Sequence, residues 1–167
     1  MKLVKKQKAL FLDRDGTINI EKGYVYRIED FEFQPGIFDL IRQYKKEGYL
    51  IFIITNQSGI ARGLYSENEY LQLSDWMTDE FAKRDIRIEK VYHCPHHPDF
   101  TGDCDCRKPK PGLILQALKT YNIDPEISVL VGDADRDLEA GKRAGIGKNL
   151  YIQDLLKKGI FKTDKSR

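Results

Sequence analysis

The stretch Ala9-Leu10-Phe11-Leu12-Asp13-Arg14-Asp15-Gly16-Thr17 decides the fold of this chain. Its four apolar residues predict a short buried strand, and Gly16 marks the turn that follows. Asp13 and Asp15 then stand at the carboxyl end of that strand, where open α/β sheets bind their ligands. Two carboxylates so close together repel each other unless a proton or a cation intervenes, and a divalent metal ion would explain them. A polar turn after a core strand is the alternative, because Asp and Gly are ordinary turn residues.

The size and composition of the chain indicate one globular domain over residues 1–167. The chain has 167 residues, of which 41% are hydrophobic and 32% charged, and its net charge is +2. Lysines gather near both ends, which is typical of solvated termini, so we expect no nucleic-acid partner. No apolar run approaches the roughly 20 residues that span a bilayer, and no signal-type apolar core follows the basic N-terminus. We therefore expect a cytoplasmic monomer with no membrane partner.

Strand and helix patterns alternate along the rest of the chain. Apolar runs predict strands at 49–54, 91–92, 127–131 and 149–152, and helical spacing predicts helices at 35–47, 66–84 and 112–121, with a short helix ending near residue 144. Ser66 and Glu69 fit a capping box. Residues 16–34, here called the flap, predict a loop or small hairpin, and the charged tail 153–167 is expected to fray. The alternation predicts a doubly wound, Rossmann-like parallel sheet with helices on both faces.

Three of the predicted strands end in reactive polar side chains. In a parallel sheet the carboxyl ends of the strands meet at one edge, so these groups should converge although they are distant in sequence. They are Asp13 and Asp15, Thr55 and Asn56, and Asp133 and Asp137. A single acidic strand end is easily explained as a turn, but three such ends favour a functional site.

The side chains of this site indicate phosphoryl transfer. Asp13 and Asp133 supply the hard oxygen ligands that suit Mg²⁺, and Thr55 supplies a hydroxyl group. Arg107 and Lys108 are adjacent cations, and both suit phosphate. A carboxylate, a metal ion, a hydroxyl and a lysine together describe transfer through an aspartyl-phosphate. A solvated charge pair is the alternative interpretation of the two cations.

The chain has three cysteines, all within residues 94–106, here called the cysteine loop. An odd number crowded into one segment argues against a disulfide framework. The loop supplies four N/S ligands, enough for a closed structural Zn²⁺ site: Cys94, His96, Cys104 and Cys106. Such a zinc loop would stiffen the segment and fix the direction of the two cations that follow it. His97 is a rival fourth ligand, and a Cys104–Cys106 disulfide or free thiols are the alternatives to zinc.

These motifs resemble those of haloacid dehalogenase-type phosphatases. The matching segments are Asp13-Arg14-Asp15-Gly16-Thr17, Thr55-Asn56-Gln57-Ser58-Gly59, Lys108, and Gly132-Asp133 with Asp137. The cysteine loop is similar to the zinc-bearing branch of that family, whose members hydrolyse heptose bisphosphate or histidinol phosphate. Segments 23–25, 31–33 and 57–63 look more like the heptose enzymes. The resemblance covers about residues 8–152.

The resemblance implies a role for each matching residue. Asp13 would be the nucleophile and a Mg²⁺ ligand, and Asp133 would be a second carboxylate on the metal. Asp15 would be the general acid and base, and would bind Mg²⁺ through its backbone carbonyl. The group that holds the transferring phosphoryl would be Thr55, Asn56 and Lys108, with Asp137 orienting the site. The other substrate contacts would come from Gln57, Ser58, Arg62, Arg107, Gly23 and Tyr24.

The function that the resemblance implies is a Mg²⁺-dependent phosphatase with a structural Zn²⁺. The expected substrate is a small phosphorylated sugar, heptose 1,7-bisphosphate, which would lose its 7-phosphate during synthesis of nucleotide-activated heptose and lipopolysaccharide core precursors. A histidinol-phosphate phosphatase shares every motif and is the main alternative. A non-catalytic zinc-stabilised binding module and a polynucleotide 3′-phosphatase are weaker alternatives, because the aspartates are intact and no basic stripe is concentrated. No segment is long enough for a cap domain, so the flap and the cysteine loop should form the rim.

Overall fold

The computed structural model of the protein describes residues 4–158, and its strands form one parallel sheet. The strands are β1 (Ala9–Leu12), β2 (Leu50–Asn56), β3 (Lys90–Cys94), β4 (Val129–Gly132) and β5 (Lys148–Tyr151). The helices are α1 (Ile37–Lys46), α2 (Ser58–Ala61), α3 (Glu67–Ala82), α4 (Pro98–Thr101), α5 (Gly112–Thr120), α6 (Asp135–Arg143) and α7 (Ile152–Lys157). No helix within residues 4–158 is both long and apolar enough to cross a membrane.

The strand order is β3-β2-β1-β4-β5, which places β1 at the centre of the sheet. Leu10 of β1 aligns with Ile51 on one side and with Val129 on the other. All four residues of β1 are buried, as expected for a parallel strand that is covered on both faces. The predicted parallel α/β sheet is therefore confirmed, and the carboxyl ends of its strands share one edge.

Alternate residues of the strands build two hydrophobic cores, one on each face of the sheet. Leu10 and Leu12 join the core that contains buried residues of α1, α3 and α7. Ala9 and Phe11 join the opposite core, with buried residues of α5 and α6. This division follows from the two-residue period of a strand. It explains why every residue of β1 is apolar, since each one faces a hydrophobic core.

Most element boundaries lie within a few residues of the prediction. The capping box forms as predicted, because the Ser66 hydroxyl accepts from the Glu69 N–H and the Glu69 carboxylate accepts from the Ser66 N–H. Helix α1 begins two residues later than predicted, since Gly36 adopts a φ of 86°, outside the helical region. The flap is a loop containing one 3-10 turn at Ile28–Asp30, and buried side chains anchor it to the sheet core.

The expected fraying of the tail is wrong for residues 153–157. These residues form most of α7, and the helix buries Ile152 and Leu155 against the core of α1 and α3. The two apolar side chains lie three positions apart, on one side of the helix, but the surrounding charges conceal this short pattern in the sequence. Residues 159–167 of the predicted tail lie outside the described residues. The short helices α2 and α4 were also not predicted.

Candidate active site

A pocket of about 320 Å³ opens at the carboxyl edge of the sheet. Its wall includes most of the predicted site residues, namely Asp13, Asp15, Gly23, Tyr24, Asn56, Gln57, Ser58, Arg62, Arg107 and Lys108. Thr55 and Asp137 are buried, and Asp133 is half-buried. The convergence that the strand ends predict is therefore present in the fold.

The ammonium of Lys108 lies at the centre of this site. Its Nζ is 2.7 Å from Asp13 Oδ1 and 2.7 Å from Asp137 Oδ1, and it donates to the carbonyl of Ile54 at 2.7 Å. Lys108 is only 3% exposed, so these contacts are shielded from solvent. One buried cation thus connects the ends of β1 and β2 with the first turn of α6.

Burial and charge shift the pKa values of this cluster in different directions. Burial raises the pKa of Asp13 well above its usual range, because it outweighs the attraction of Lys108. Burial also raises the pKa of Asp133. Burial opposes ionisation of Asp137 too, but Lys108, the backbone N–H of Ala134 and Arg136 together lower the pKa of that carboxyl. Burial likewise disfavours the charged form of Lys108, yet its two carboxylate partners raise its pKa.

The same cluster fits a divalent cation. Carboxylate oxygens of Asp13, Asp133 and Asp137 lie within 4.8 Å of one another, and with one ammonium present the ionised cluster keeps two unbalanced negative charges. Asp133 Oδ1 is buried without a hydrogen-bond partner. Gly16 has a φ of 87°, and a Cβ at that position would clash with the Asp133 carboxylate. Hard oxygen ligands and unbalanced negative charge are what Mg²⁺ requires.

Asp137 is held by groups other than a metal ion. Its Oδ2 accepts from the backbone N–H of Asp133 at 3.2 Å and from that of Ala134 at 3.1 Å, which caps the start of α6. Its other oxygen faces Lys108. Asp13 and Asp133 therefore remain the carboxylates best placed to hold a metal ion, and the position of Asp137 suits the orienting role predicted for it.

The carboxylate of Asp15 is fixed by three side chains. Arg14 donates to it at 2.9 and 3.0 Å through Nη2, Asn19 at 3.1 Å, and Gln57 at 3.0 Å. Arg14 is itself buried at 1% exposure and also donates to the carbonyl of Val25 in the flap. The carboxylate therefore stands at the pocket wall in one orientation, as a general acid and base requires.

Two predicted substrate-binding residues instead support their neighbours. Asn56 exchanges hydrogen bonds with the backbone of Lys108, accepting from its N–H at 3.0 Å and donating to its carbonyl at 3.2 Å. Gln57 is 2% exposed and donates to Thr55 Oγ1 at 2.9 Å as well as to Asp15. Both line the pocket, but most of their polar atoms are already engaged.

The cysteine loop brings its three sulfur atoms together but not in the predicted four-ligand arrangement. Cys104 Sγ lies 3.6 Å from the sulfur atoms of Cys94 and Cys106, and the structure joins Cys94 to Cys106 as a disulfide. His96 is not in the group of ligand atoms that lie within 4.8 Å of one another. A separation of 3.6 Å is close to the S···S edge of about 3.8 Å that Zn–S bonds of about 2.3 Å give in a tetrahedral site. Two of the three sulfur pairs, those that include Cys104, thus lie at a zinc-site distance, whereas Cys94 and Cys106 are bonded to each other.

The rival ligand His97 has other partners. Its Nδ1 accepts from the N–H of Asp99 at 3.2 Å, capping α4, and its Nε2 lies 3.2 Å from Arg62 Nη2. Both ring nitrogens are therefore engaged away from the sulfur atoms. His97 contacts Arg62 of the pocket wall and does not belong to the sulfur cluster.

Four residues near the pocket were not predicted: Arg14, Glu21, Tyr65 and Arg136. Arg14 lies between the two aspartates in the sequence, and a cation at that position could have indicated a partner for their carboxylates. Tyr65 donates to Gln57 Oε1, and Glu21 Oε1 accepts from the N–H of Gly23. Nothing in the sequence pattern distinguished Tyr65 or Arg136 from ordinary surface and core residues.

The sequence-family model for haloacid dehalogenase-like hydrolases matches residues 4–145 of the chain. The chain belongs to that family. Hydrolases of this family are generally Mg²⁺-dependent, which agrees with the carboxylate cluster described above. The enzyme is a phosphatase, because relatives that are 52% and 49% identical to it are named as phosphatases.

Several relatives match this haloacid dehalogenase-like hydrolase over most of its length. A D-glycero-alpha-D-manno-heptose-1,7-bisphosphate 7-phosphatase of Campylobacter jejuni is 52% identical over 93% of this chain and 88% of its own length. A D-glycero-beta-D-manno-heptose-1,7-bisphosphate 7-phosphatase of Haemophilus influenzae is 49% identical over 87% of this chain and 82% of its own. A crystal structure of D,D-heptose 1,7-bisphosphate phosphatase from B. bronchiseptica with magnesium and phosphate superposes with a TM-score of 0.80. It is 30% identical and covers 96% of this chain and 91% of its own.

Proposed function

We propose that this protein is a Mg²⁺-dependent phosphatase that removes the 7-phosphate of D-glycero-D-manno-heptose 1,7-bisphosphate, in heptose biosynthesis for lipopolysaccharide core precursors. The main observation that supports this substrate is that a relative named for this reaction is 52% identical over 93% of the chain. The site supports the chemistry, because a carboxylate, a fixed second carboxylate and a buried lysine meet in one pocket.

In the first step of the proposed reaction, an oxygen of Asp13 attacks phosphorus and the bond from phosphorus to the sugar oxygen breaks. Asp15 gives a proton to the departing sugar oxygen, which leaves as an alcohol. In the second step Asp15 takes a proton from a water molecule, whose oxygen attacks the aspartyl-phosphate and releases inorganic phosphate and Asp13. The three donors on Asp15 hold it in place for both proton transfers.

Lys108 supplies positive charge to the transferring phosphoryl group and to Asp13. Its contact with Asp13 Oδ1 places the ammonium beside the oxygen atoms on which negative charge develops. Asn56 positions the Lys108 backbone, and the hydroxyl of Thr55, near the end of β2, accepts from Gln57 at 2.9 Å. The Mg²⁺ held by Asp13, Asp133 and the carbonyl of Asp15 would neutralise phosphate charge.

We propose in addition that the reduced cysteine loop binds a structural Zn²⁺ through Cys94, Cys104 and Cys106, with His96 as the fourth ligand. The 3.6 Å separations of the sulfur atoms support this proposal. Binding would require the Cys94–Cys106 bond to be reduced and the His96 ring to turn toward the cluster. The metal would fix the loop just before Arg107 and Lys108.

The experiment that tests the function compares kcat/KM for heptose 1,7-bisphosphate and for histidinol phosphate. We expect a strong preference for the bisphosphate in the presence of Mg²⁺, and loss of turnover after chelation. Preference for histidinol phosphate would overturn the proposed substrate and retain the mechanism. That alternative is not favoured, because the relatives of highest identity described above are named for the heptose substrate.

A further inference from the structure

The pocket contains more positive charge than the transfer of one phosphoryl group uses. Beside Lys108, its wall includes three arginines, here called the arginine cluster: Arg62, Arg107 and Arg136. They come from three separate segments. Arg62 directly follows α2, Arg107 follows the cysteine loop, and Arg136 lies in the first turn of α6.

None of the three guanidinium groups has a carboxylate partner among the described residues. Arg107 donates only to the carbonyl of His96, at 3.5 Å. Arg62 contacts His97 and lies over the ring of Phe100, with 5.1 Å to the centroid. The side chain of Arg136 makes neither a hydrogen bond nor an ion pair within residues 4–158. In contrast, Arg143, on the same helix as Arg136, pairs with Glu139 at 2.9 Å.

The three cations are close enough to repel one another. Burial lowers the pKa of the Arg107 guanidinium, and repulsion by Arg136 and Arg62 lowers it further. Of the three acidic side chains that line the pocket within the described residues, Asp13 pairs with Lys108, Asp15 pairs with Arg14, and Glu21 accepts from the N–H of Gly23 in the flap. A cluster of like charges without partners, in a pocket open to solvent, is stabilised when an anion with several acceptor oxygens enters it.

We propose that Arg136, acting with Arg107 and Arg62, binds the phosphate group of the substrate that is not hydrolysed, and that Arg136 thereby determines preference for a bisphosphate over a monophosphate. This inference rests on the proposed function, since it assigns the second phosphate of the same substrate. One phosphate lies at Asp13 and Lys108, and the other lies at the arginine cluster across the same pocket. Planar guanidinium groups suit that second phosphate because they can donate to two of its oxygens at once.

The arginine cluster also discriminates against cationic phosphate esters. Histidinol phosphate has an amine and an imidazole where the bisphosphate has its second phosphate, and such groups meet three uncompensated positive charges. Discrimination of this kind comes from repulsion of the wrong ligand as well as attraction of the right one.

The test is the ratio of kcat/KM for heptose 1,7-bisphosphate to kcat/KM for heptose 7-phosphate, which differ only in the second phosphate. We expect a ratio well above one in the natural protein, and a fall of roughly tenfold in Arg136→Gln, as for loss of one charge-assisted contact. Arg136→Lys should retain part of the ratio, because the charge remains without the fork of donors. Arg143→Gln is the matched control on the same helix and should leave the ratio unchanged.

An unchanged ratio in Arg136→Gln, or an equal fall in Arg143→Gln, would overturn the inference. If the natural protein hydrolyses neither heptose ester, the proposed function fails. The inference is then decided separately, by calorimetric Kd values for fructose 1,6-bisphosphate and fructose 6-phosphate. A fall in their ratio in Arg136→Gln supports the anion site, and no fall overturns it.

Discussion

The charge balance of the site depends on Lys108. Its ammonium is the cation that faces both Asp13 and Asp137 behind the pocket wall, and it is almost completely buried. Buried charges are tolerated only with partners, because their hydration is lost on folding. The residue therefore serves both the stability of the fold and the chemistry.

We predict that Lys108→Met lowers the free energy of unfolding by roughly 3–5 kcal/mol, because it leaves two buried carboxylates without their cation. Urea denaturation in the absence of Mg²⁺ measures this change. Adding Asp137→Asn to the variant should restore part of the stability, since one unpaired charge is removed. Lys83→Met, at the exposed position that directly follows α3, should have little effect, and an equal loss there would contradict the prediction.

The role of Asp13 as nucleophile predicts that Asp13→Asn reduces turnover by at least about 10³-fold while the protein stays folded. An amide oxygen is a much weaker nucleophile than a carboxylate, but its shape is the same. Phosphate release and far-ultraviolet circular dichroism measure the two properties together. Asp75→Asn on the surface of α3 is the control. Near-normal turnover in Asp13→Asn would refute the assignment.

The raised pKa values of Asp13 and Asp133 predict how Mg²⁺ stabilises the protein at different pH. Above the ordinary aspartate pKa of 3.8, the metal-free native state binds more protons at these sites than the unfolded state. Its stability from these groups therefore falls as pH rises through their raised pKa values. The lowered pKa of Asp137 makes stability rise with pH instead, but this effect is confined to pH values around and below 3.8.

Because Mg²⁺ binds the ionised carboxylates, we expect it to raise Tm more near pH 8 than near pH 5. Differential scanning calorimetry with and without Mg²⁺ at the two pH values tests this. The Asp13→Asn variant has lost one of the two carboxylates and should show a smaller response. Equal Tm increases at both pH values in the natural protein would count against the metal site.

At the scale of elements, the cysteine loop is a largely irregular segment beside the site, and it contains the short helix α4. It contributes to the pocket in two ways. It leads directly into Arg107 and Lys108, and its residues His97 and Phe100 contact Arg62. A change in the loop should therefore affect substrate binding more than it affects the structure of the sheet.

For this loop we predict that the reduced protein binds about one Zn²⁺ per chain, and that Cys104→Ser and His96→Asn lose it. Elemental analysis gives the metal content, and KM for the bisphosphate should rise with the loss because the rim arginines are displaced. His93→Asn is the control, since His93 contacts Glu67 outside the loop. Zinc retained in Cys104→Ser would exclude the site, and zinc retained in His96→Asn would exclude that ligand.

At the scale of the whole molecule, the parallel sheet and the convergence at its edge were predictable from the sequence. Three apolar runs each end in polar groups, and each run can be recognised from its own residues. Because parallel strands share one direction, their carboxyl ends meet at the same edge of the sheet. The sulfur group also follows from spacing. Arg136 and Tyr65 could not be found this way, since their positions in the pocket depend on how α6 and α3 pack. Helix α7 was not predicted, because its two buried side chains, Ile152 and Leu155, are too few to show a helical spacing of apolar residues in the sequence.

The expected cytoplasmic monomer remains a prediction at this scale. Sedimentation velocity should give the mass of one chain across a wide concentration range, and Arg136→Gln should sediment identically because Arg136 is exposed on the pocket side. A dimer at low concentration would overturn the expectation of a monomer. The cellular location can be checked by fractionation of cells that express the protein.

The division of labour between the strand ends and the rim has a consequence for how such enzymes diversify. Asp13, Thr55 and Asp133 stand at the ends of strands or next to them, whereas Tyr24 and Arg62 belong to segments outside the sheet. Inherited changes in the rim can therefore exchange one phosphate ester for another while the reaction itself is preserved. The same property makes the rim the natural place to graft residues when a laboratory wishes to give this scaffold a new substrate.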